Sequence, residues 1–137
     1  MRIKAVIAVA NGGAIGRANG IPWRSRADMK HFKRETEGAA VLFGRTTWEG
    51  LPKRPLPNRL NIVLTSDPSY VADGATVVAS IEQAVRVAKE AGLNLCVCGG
   101  AKVYSQCMDL VDEVVITLTC AVFILLVTCI WMVFVTP

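Results

Sequence analysis

An acidic residue near the start of a predicted helix is the first side chain that calls for a chemical explanation. In a helix that begins at Ser25, Asp28 lies on the same side as Met29 and Phe32, because residues three and four positions apart share a face. A carboxylate on an apolar face is costly unless it binds a cation or hydrogen-bond donors. The alternative is an acid in the first turn that favours the helix dipole. Spacing alone does not separate these two roles.

Two glycine-containing turns are also suited to chemistry. The segments 44–47 (Gly-Arg-Thr-Thr) and 99–102 (Gly-Gly-Ala-Lys) each follow a predicted buried strand and open a helix. A helix N-terminus with an exposed backbone and a basic side chain is suited to phosphate. One such turn is weak evidence, but two in one small sheet favour a long phosphate ligand such as a dinucleotide. Neither turn is a Walker loop, and the segment 12–16 does not match the G-x-G-x-x-G fingerprint.

Short apolar runs bounded by turn residues predict the strands that position these groups. We expect strands at 3–10, 39–43, 60–65, 95–98 and 114–119. We expect helices at 25–35, directly after Gly44, between a capping-box sequence at 80–83 and Gly92, and at 102–110. Alternating strands and helices predict a three-layer α/β fold, in which helices flank a mostly parallel central sheet. Such sheets bind ligands at the carboxyl ends of their strands.

Composition limits the class of protein. The length of 137 residues fits one domain, and the net charge of +4 suits anionic ligands, but the charge is too dispersed to predict a nucleic-acid partner. Five cysteines, an odd number without a secretory signal, fit a reducing compartment. Cys96 and Cys98 share one face of a predicted strand, so we interpret them as core thiols and expect no metal site.

The candidate residues belong to an ordered series of short motifs. In chain order these are Ile15-Gly16, Gly20-Ile21-Pro22-Trp23, Ala27-Asp28, Phe32-Lys33-Arg34, Gly44-Arg45-Thr46-Thr47-Trp48-Glu49, Arg54-Pro55-Leu56-Pro57-Asn58-Arg59, Asn61-Ile62-Val63-Leu64-Thr65-Ser66, Gly99-Gly100, Val103-Tyr104 and Ile116-Thr117. Each motif is modest, but the ordered series is specific. Over about residues 1–119 the chain resembles the dihydrofolate reductase family.

The resemblance implies an enzyme that reduces 7,8-dihydrofolate to tetrahydrofolate with NADPH, adding hydride to C6 and a proton to N5. By resemblance, the Asp28 carboxylate accepts hydrogen bonds from the ring nitrogen and the exocyclic amine of the pterin. Thr117 would hydrogen-bond Asp28 from behind, and water near Trp23 would supply the proton. The implied catalytic residues are therefore Asp28, Trp23 and Thr117.

The resemblance also implies two sets of binding residues. The substrate set is Val6, Ala8, Asp28, Met29, Phe32, Leu51, Leu56, Arg59, Cys98 and Tyr104. The cofactor set is Ala8, Ile15, Gly16, Gly20, Arg45, Thr46, Thr47, Leu64, Thr65, Ser66, Gly99, Gly100, Ala101, Lys102, Val103 and Tyr104. For Met29, Leu51 and Leu56, ordinary core packing is the alternative.

The resemblance implies specific roles for three basic residues and for one loop. Arg59 would pair with the glutamate carboxylate of the substrate, a task suited to a bidentate guanidinium. Arg45 and Lys102 suit a 2′-phosphate, which favours NADPH over NADH. The loop at 11–23 would close over the nicotinamide and exclude water.

The last part of the chain departs from the family pattern. Every charged residue lies at or before Glu113, and 120–137 contains no Gly, Asn or Asp to make a hairpin turn. We therefore expect a domain at 1–119 and an atypical apolar tail at 120–137, with the family's C-terminal edge strands missing or replaced. A foreign or out-of-frame end is the preferred interpretation. A membrane anchor is the alternative, although a helix from Cys120 would measure about 25 Å against a bilayer core of ~30 Å.

Three functional hypotheses follow. The first is an active reductase that binds dihydrofolate and NADPH, a cytoplasmic monomer of one-carbon metabolism and tetrahydrofolate biosynthesis and a target for antifolates. The second is a reductase of the same fold that acts on another pterin or on a pyrimidine of riboflavin synthesis, but Asp28, Phe32 and Arg59 together argue against it. The third is a catalytically impaired or membrane-tethered remnant that still binds NADPH.

Overall fold

The described part of the chain folds around one six-stranded sheet. The computed structural model describes residues 1–9, 26–51 and 53–118, with the backbone alone at 8–9, 26–29, 31 and 116–118. The elements are β1 (Ile3–Val9), α1 (Arg26–Thr36), β2 (Ala40–Gly44), α2 (Arg45–Glu49), β3 (Leu60–Leu64), β4 (Ala75–Val78), α3 (Ile81–Glu90), β5 (Leu95–Gly99), α4 (Ala101–Cys107) and β6 (Glu113–Leu118).

Every strand pairing in the sheet is parallel, and the strand order is β4-β3-β2-β5-β1-β6. The carboxyl ends of β2, β3 and β5 therefore meet at one edge. The pairing of β2 with β5 shifts between Leu42 and Phe43, so that Phe43 lies opposite Gly99. This shift places the two glycine-containing turns side by side.

Alternate residues of the strands β1 to β5 enter two separate hydrophobic clusters. Along β2, Ala40 and Leu42 pack with α3 and α4 on one face, whereas Val41 and Phe43 pack with α1 and α2 on the other. All four are completely buried. Burial on both faces explains why this strand reads as a continuous apolar run rather than as an alternating one. The predicted three-layer α/β fold with a mostly parallel sheet is confirmed.

The elements depart from the predicted ones in two places. The short strand β4 was not predicted; it lies at one end of the strand order, and Thr76 within it is exposed, so its apolar signal is weak. The helix predicted at 102–110 ends earlier, at Cys107. There the Leu110 amide donates to the Cys107 carbonyl at 2.8 Å and closes a tight turn.

The thiols interpreted as core residues are buried. Cys96 and Cys98 lie in the same hydrophobic cluster, on the side of the sheet that faces α1. Burial raises the pKa of both thiols, most strongly at Cys98. Both side chains therefore stay protonated at neutral pH.

A search of the described ranges finds no helix that is both long and apolar enough to cross a membrane. The segment 120–137, to which the anchor hypothesis and the out-of-frame interpretation refer, lies outside the described residues.

The start of α3 depends on a side-chain cap. The Ser80 hydroxyl accepts from the Gln83 amide at 3.2 Å. The Gln83 side-chain oxygen Oε1 accepts from the Ala79 amide at 2.7 Å, one residue before the position that a capping box would use. The predicted helix start at Ser80 is thus confirmed. The bond from the Gln83 side chain differs from a capping box, because it goes to the amide of Ala79 rather than to that of Ser80.

Replacing Ser80 with Ala should lower the free energy of unfolding by about 1 kcal/mol, because the Gln83 amide loses its acceptor. Chemical denaturation of the full chain measures this loss. Ser105→Ala is the matched control, since Ser105 is exposed within α4. Equal stability of the Ser80→Ala variant and the wild type would contradict a capping role.

Candidate active site

A cavity of about 580 Å³ lies where β2, β3 and β5 end. Ten of the residues in the predicted cofactor set line it, namely Arg45, Thr46, Thr47, Leu64, Thr65, Ser66, Gly100, Ala101, Lys102 and Val103. Its wall also includes Gly44, which belongs to the predicted phosphate turn at 44–47, and two residues that were not predicted, namely Ala79 and Gln106. The sheet order therefore brings together segments that are far apart in sequence.

The two glycine turns form the floor where α2 and α4 begin. Gly44 and Gly100 occupy the N-cap positions with extended backbones, and no side chain of the described residues caps either helix. The first-turn amides of a helix need acceptors from outside the helix, and they carry partial positive charge. Both turns can therefore offer backbone donors to an anion in the cavity.

The two turns pack closely where they meet, with little space for a side chain at either glycine. A Cβ at Gly100 would lie 3.0 Å from the Thr47 Oγ1, and one at Gly44 would lie 3.1 Å from the Val103 Cγ2. Gly99 has a φ of +135°, which side-chain-bearing residues rarely adopt, and the Gly99–Gly100 peptide is cis. Gly99 itself does not line the cavity, so its contribution to this site is conformational.

Arg45 brings positive charge to the cavity wall, and carboxylates already contact it. Its Nη1 lies 3.3 Å from the Asp67 Oδ2, and its Nε lies 3.5 Å from the Glu49 Oε1. Its guanidinium carbon lies 4.4 Å from the centre of the Tyr70 ring. Lys102, at the start of α4, is exposed.

Arg59 lies in a different part of the structure, beside the C-terminal end of α1. Its Nε donates to the Pro57 carbonyl at 2.9 Å, and its Nη1 donates to the Thr36 hydroxyl at 3.0 Å. The Thr36 hydroxyl in turn donates to the Phe32 carbonyl at 2.8 Å. Burial lowers the pKa of Arg59, but a guanidinium remains charged at neutral pH. Neutral oxygens therefore orient a cation without neutralising it.

A buried amide holds the loop that carries Leu56 and Arg59. Asn61, on β3, is only 2% exposed. Its side-chain oxygen accepts from the Leu56 amide, and its nitrogen donates to the Leu56 and Arg59 carbonyls, each at 3.0 Å. Sequence reasoning missed this role, although a polar residue inside an apolar strand was the available signal.

Several residues of the predicted substrate set share the hydrophobic cluster on the α1 side of the sheet. Val6, Phe32, Leu51 and Cys98 are buried there, and Leu56 packs against its edge. These residues therefore belong to one buried apolar cluster between the sheet and the helices α1 and α2.

Tyr104 belongs to the cluster on the opposite side of the sheet. Its hydroxyl donates to the Val6 carbonyl at 2.7 Å. Burial raises the pKa of Tyr104 well above its ordinary value, so this hydroxyl stays a donor. The structure thus joins Tyr104 to the substrate residues through the backbone of β1 rather than through its ring.

An ion pair fixes α1 against the sheet. The Lys4 ammonium lies 2.8 Å from the Glu35 carboxylate, and both side chains are 24% exposed. Burial alone would lower the pKa of Lys4, but the hydrogen bond and charge of Glu35 outweigh it and raise the pKa. The helix that carries Asp28 is therefore anchored at its far end.

The remaining predicted site residues are described in part or not at all. Trp23, Ile15, Gly16 and Gly20 lie outside the described residues, as does the rest of the loop at 11–23 and the predicted cap at Ser25. For Ala8, Asp28, Met29 and Thr117 the backbone alone is described. Ala8 pairs with Thr117 across β1 and β6. The contacts of these side chains stay predictions.

The parallel sheet with both faces covered and the cavity at the carboxyl ends of its strands define an α/β protein with a cavity where such sheets bind ligands. The family model described as dihydrofolate reductase matches residues 2–123. The chain belongs to the dihydrofolate reductase family.

Individual relatives agree with this assignment. The dihydrofolate reductase of Neisseria gonorrhoeae is 40% identical over 117 residues, which is 85% of this chain and 72% of the relative. That of Mycobacterium tuberculosis (strain H37Rv) is 42% identical over 100 residues, 72% of this chain and 59% of the relative. A solved structure of Enterococcus faecalis dihydrofolate reductase, complexed with NADP(H) and RAB-propyl, has a TM-score of 0.79 and 35% identity. That match covers 85% of this chain and 70% of the other.

Replacing Asn61 with Leu should lower the free energy of unfolding by about 1–3 kcal/mol, because the Leu56 and Arg59 backbone groups lose their partners. Thermal or urea unfolding measures the loss. Asn94→Leu is the matched control, since the exposed side chain of Asn94 accepts one bond from the described residues, from the Arg2 amide. Equal losses in the two variants would contradict the special role of Asn61.

Proposed function

We propose that this chain catalyses the NADPH-dependent reduction of 7,8-dihydrofolate to tetrahydrofolate. The observation that carries the proposal is the convergence of ten predicted cofactor residues on one cavity, in a chain that belongs to the dihydrofolate reductase family. The Enterococcus faecalis relative, a complex with NADP(H), supports the choice of cofactor. When bound, NADPH supplies the hydride that is added to C6.

The residues of the cavity fit the phosphates of such a cofactor. The turns at Gly44 and Gly100 provide amides without side-chain caps among the described residues, and Arg45 and Lys102 provide positive charge. Gly100 leaves the backbone accessible, because no Cβ covers it. We assign the 2′-phosphate to the neighbourhood of Arg45, next to Thr65 and Ser66.

The substrate would contact the apolar cluster on the α1 side of the sheet. Phe32 and Leu56 offer contacts for its rings, and Arg59 offers a charged fork for its glutamate carboxylate. We assign to Asp28 the binding of the pterin edge, where a negative charge favours the protonated ring that accepts hydride. Thr117 would support Asp28, and water near Trp23 would deliver the proton to N5.

We further propose that the enzyme is a cytoplasmic monomer that uses no nucleic-acid partner. The dispersed net charge of +4 supports the absence of a nucleic-acid role. We also propose that the catalytic domain spans 1–119 and that 120–137 is a separate tail, because the charge ends at Glu113.

Turnover by the purified full chain tests the proposed reaction. Mixing it with NADPH and dihydrofolate should decrease the NADPH absorbance. Replacing Asp28 with Asn should reduce this rate at least about 100-fold, because a neutral amide does not favour the protonated pterin. Asp109→Asn, which changes an exposed acid after α4, should leave the rate unchanged.

Binding measurements complete this test. NADPH should bind the wild type and Asp28→Asn equally well. Unchanged turnover in Asp28→Asn would show that the assigned role of the acid is wrong. A wild type that binds NADPH without turnover would support the impaired remnant instead.

Replacing Arg59 with Lys should raise the KM for dihydrofolate about tenfold and leave kcat nearly unchanged, because an ammonium cannot bind the carboxylate through two parallel hydrogen bonds. Steady-state kinetics measure the effect. A dihydropterin that lacks the aminobenzoylglutamate should be reduced equally by both proteins. A similar KM increase with that truncated substrate would contradict the carboxylate assignment. Arg54→Lys, at an exposed position in the same loop, is the control.

A further inference from the structure

The proposed 2′-phosphate subsite contains an acid as well as a base. Asp67 directly follows Thr65 and Ser66, which line the cavity, and its carboxylate lies 3.3 Å from the Arg45 Nη1. A guanidinium beside a carboxylate has a lower affinity for a second anion, because that anion must compete with the first one. The arrangement of both groups decides how strong this competition is.

The guanidinium of Arg45 has two edges that can bind a phosphate through paired donors. One edge presents Nε and Nη2, and the other presents Nη1 and Nη2. Glu49 contacts Nε at 3.5 Å, and Asp67 contacts Nη1 at 3.3 Å. Each edge therefore has a carboxylate at one of its two nitrogens. The Tyr70 ring lies over the guanidinium at 4.4 Å.

The two carboxylates differ in their freedom to move away. Glu49 has a long side chain on α2, and its one charged contact among the described residues is to Arg45, in the same helix. Asp67 has a short side chain, and its Oδ1 accepts from both the Ser69 hydroxyl at 2.7 Å and the Ser69 amide at 3.0 Å. These bonds, together with Arg45, also lower the pKa of Asp67, so the group is ionised at neutral pH. A bound phosphate can displace Glu49 from Arg45, but Asp67 would stay close to the phosphate.

A fixed carboxylate in this place affects the two nicotinamide cofactors in opposite ways. It repels a 2′-phosphate, whereas it can accept a hydrogen bond from the ribose 2′-hydroxyl of NADH. We propose that Asp67 is a specificity-determining residue that weakens the preference of this site for NADPH over NADH. The proposal rests on the assignment of the cavity to the cofactor.

Binding of two adenine nucleotides to the full chain, measured by calorimetry, tests this role. Adenosine 2′,5′-bisphosphate and adenosine 5′-monophosphate differ in the 2′-phosphate alone. Replacing Asp67 with Asn should tighten binding of the bisphosphate about two- to fivefold and should not tighten binding of the monophosphate. The gain should shrink at high salt, because the contact is exposed. In kinetics, the ratio of kcat/KM for NADPH to that for NADH should rise by a similar factor.

Two further variants sharpen the result. Asp73→Asn removes the same charge from an exposed site that precedes β4, at the opposite edge of the sheet, and should change neither affinity. Ser69→Ala removes a bond that holds Asp67 in place, and should shift the bisphosphate affinity in the same direction by a smaller factor.

The possible outcomes separate this inference from the proposed function. Unchanged or weaker bisphosphate binding in Asp67→Asn would overturn the inference and indicate that Asp67 only orients Arg45. Equal tightening of both nucleotides would also overturn it, since the effect would not depend on the 2′-phosphate. If the wild type reduces dihydrofolate, the proposed function stands even when Asp67→Asn gives either of these two results. A wild type that binds neither nucleotide would overturn the cofactor assignment as well.

Discussion

The cavity depends on one constraint, which is the contact between the start of α2 and the start of α4. The pairing of β2 with β5 brings these two helix starts together. The register shift that places Phe43 opposite Gly99 brings the N-cap glycines of the two helices, Gly44 and Gly100, to one level. At that level a Cβ on Gly100 would approach the Thr47 Oγ1 to 3.0 Å. Both strands are buried on both faces, so a slip by one residue would exchange the two hydrophobic clusters. The core of the sheet therefore fixes the position of both turns.

Arg59 and its loop are held by hydrogen bonds to buried polar side chains rather than by close backbone packing. Thr36 and Asn61 are the polar side chains that the described part of the chain buries, and both hold Arg59 or its loop. No buried side-chain nitrogen or oxygen of the described residues lacks a partner. Buried polar groups are expensive to leave unpaired, so such a network tolerates few arrangements. The two glycine-containing turns gain their geometry from the absence of side chains, whereas Arg59 gains its orientation from specific side chains.

The sequence predicted those parts of the fold that local patterns control. Strands such as β2 were predictable because burial on both faces requires an uninterrupted apolar run, and α3 because Ser80 and Gly92 mark its ends. The strand β4 was missed because a short strand with an exposed Thr76 carries little apolar signal.

The candidate site was predictable in its parts but not in its assembly. The motifs that contain Arg45 and Lys102 were identified, but their proximity depends on the placement of β5 beside β2, which no local pattern encodes. The contact between Arg45 and Asp67 was not predicted for the same reason. It joins a helix start to a loop 22 residues away. Asn61 differs from these contacts, because a polar residue within the predicted strand 60–65 is a local signal. Its role was nevertheless not predicted.

The two arginines of the site show how one cation can be prepared for different anions. Arg59 is oriented by the Pro57 carbonyl and the Thr36 hydroxyl, which are neutral, so its charge remains available to a carboxylate. Arg45 is oriented by Glu49 and Asp67, which are charged, so part of its attraction is already used. A phosphate carries more charge than a carboxylate and can still compete for Arg45, whereas a singly charged anion gains little there. The choice of orienting partner, charged or neutral, thus distinguishes the two arginines to which we assign anion binding.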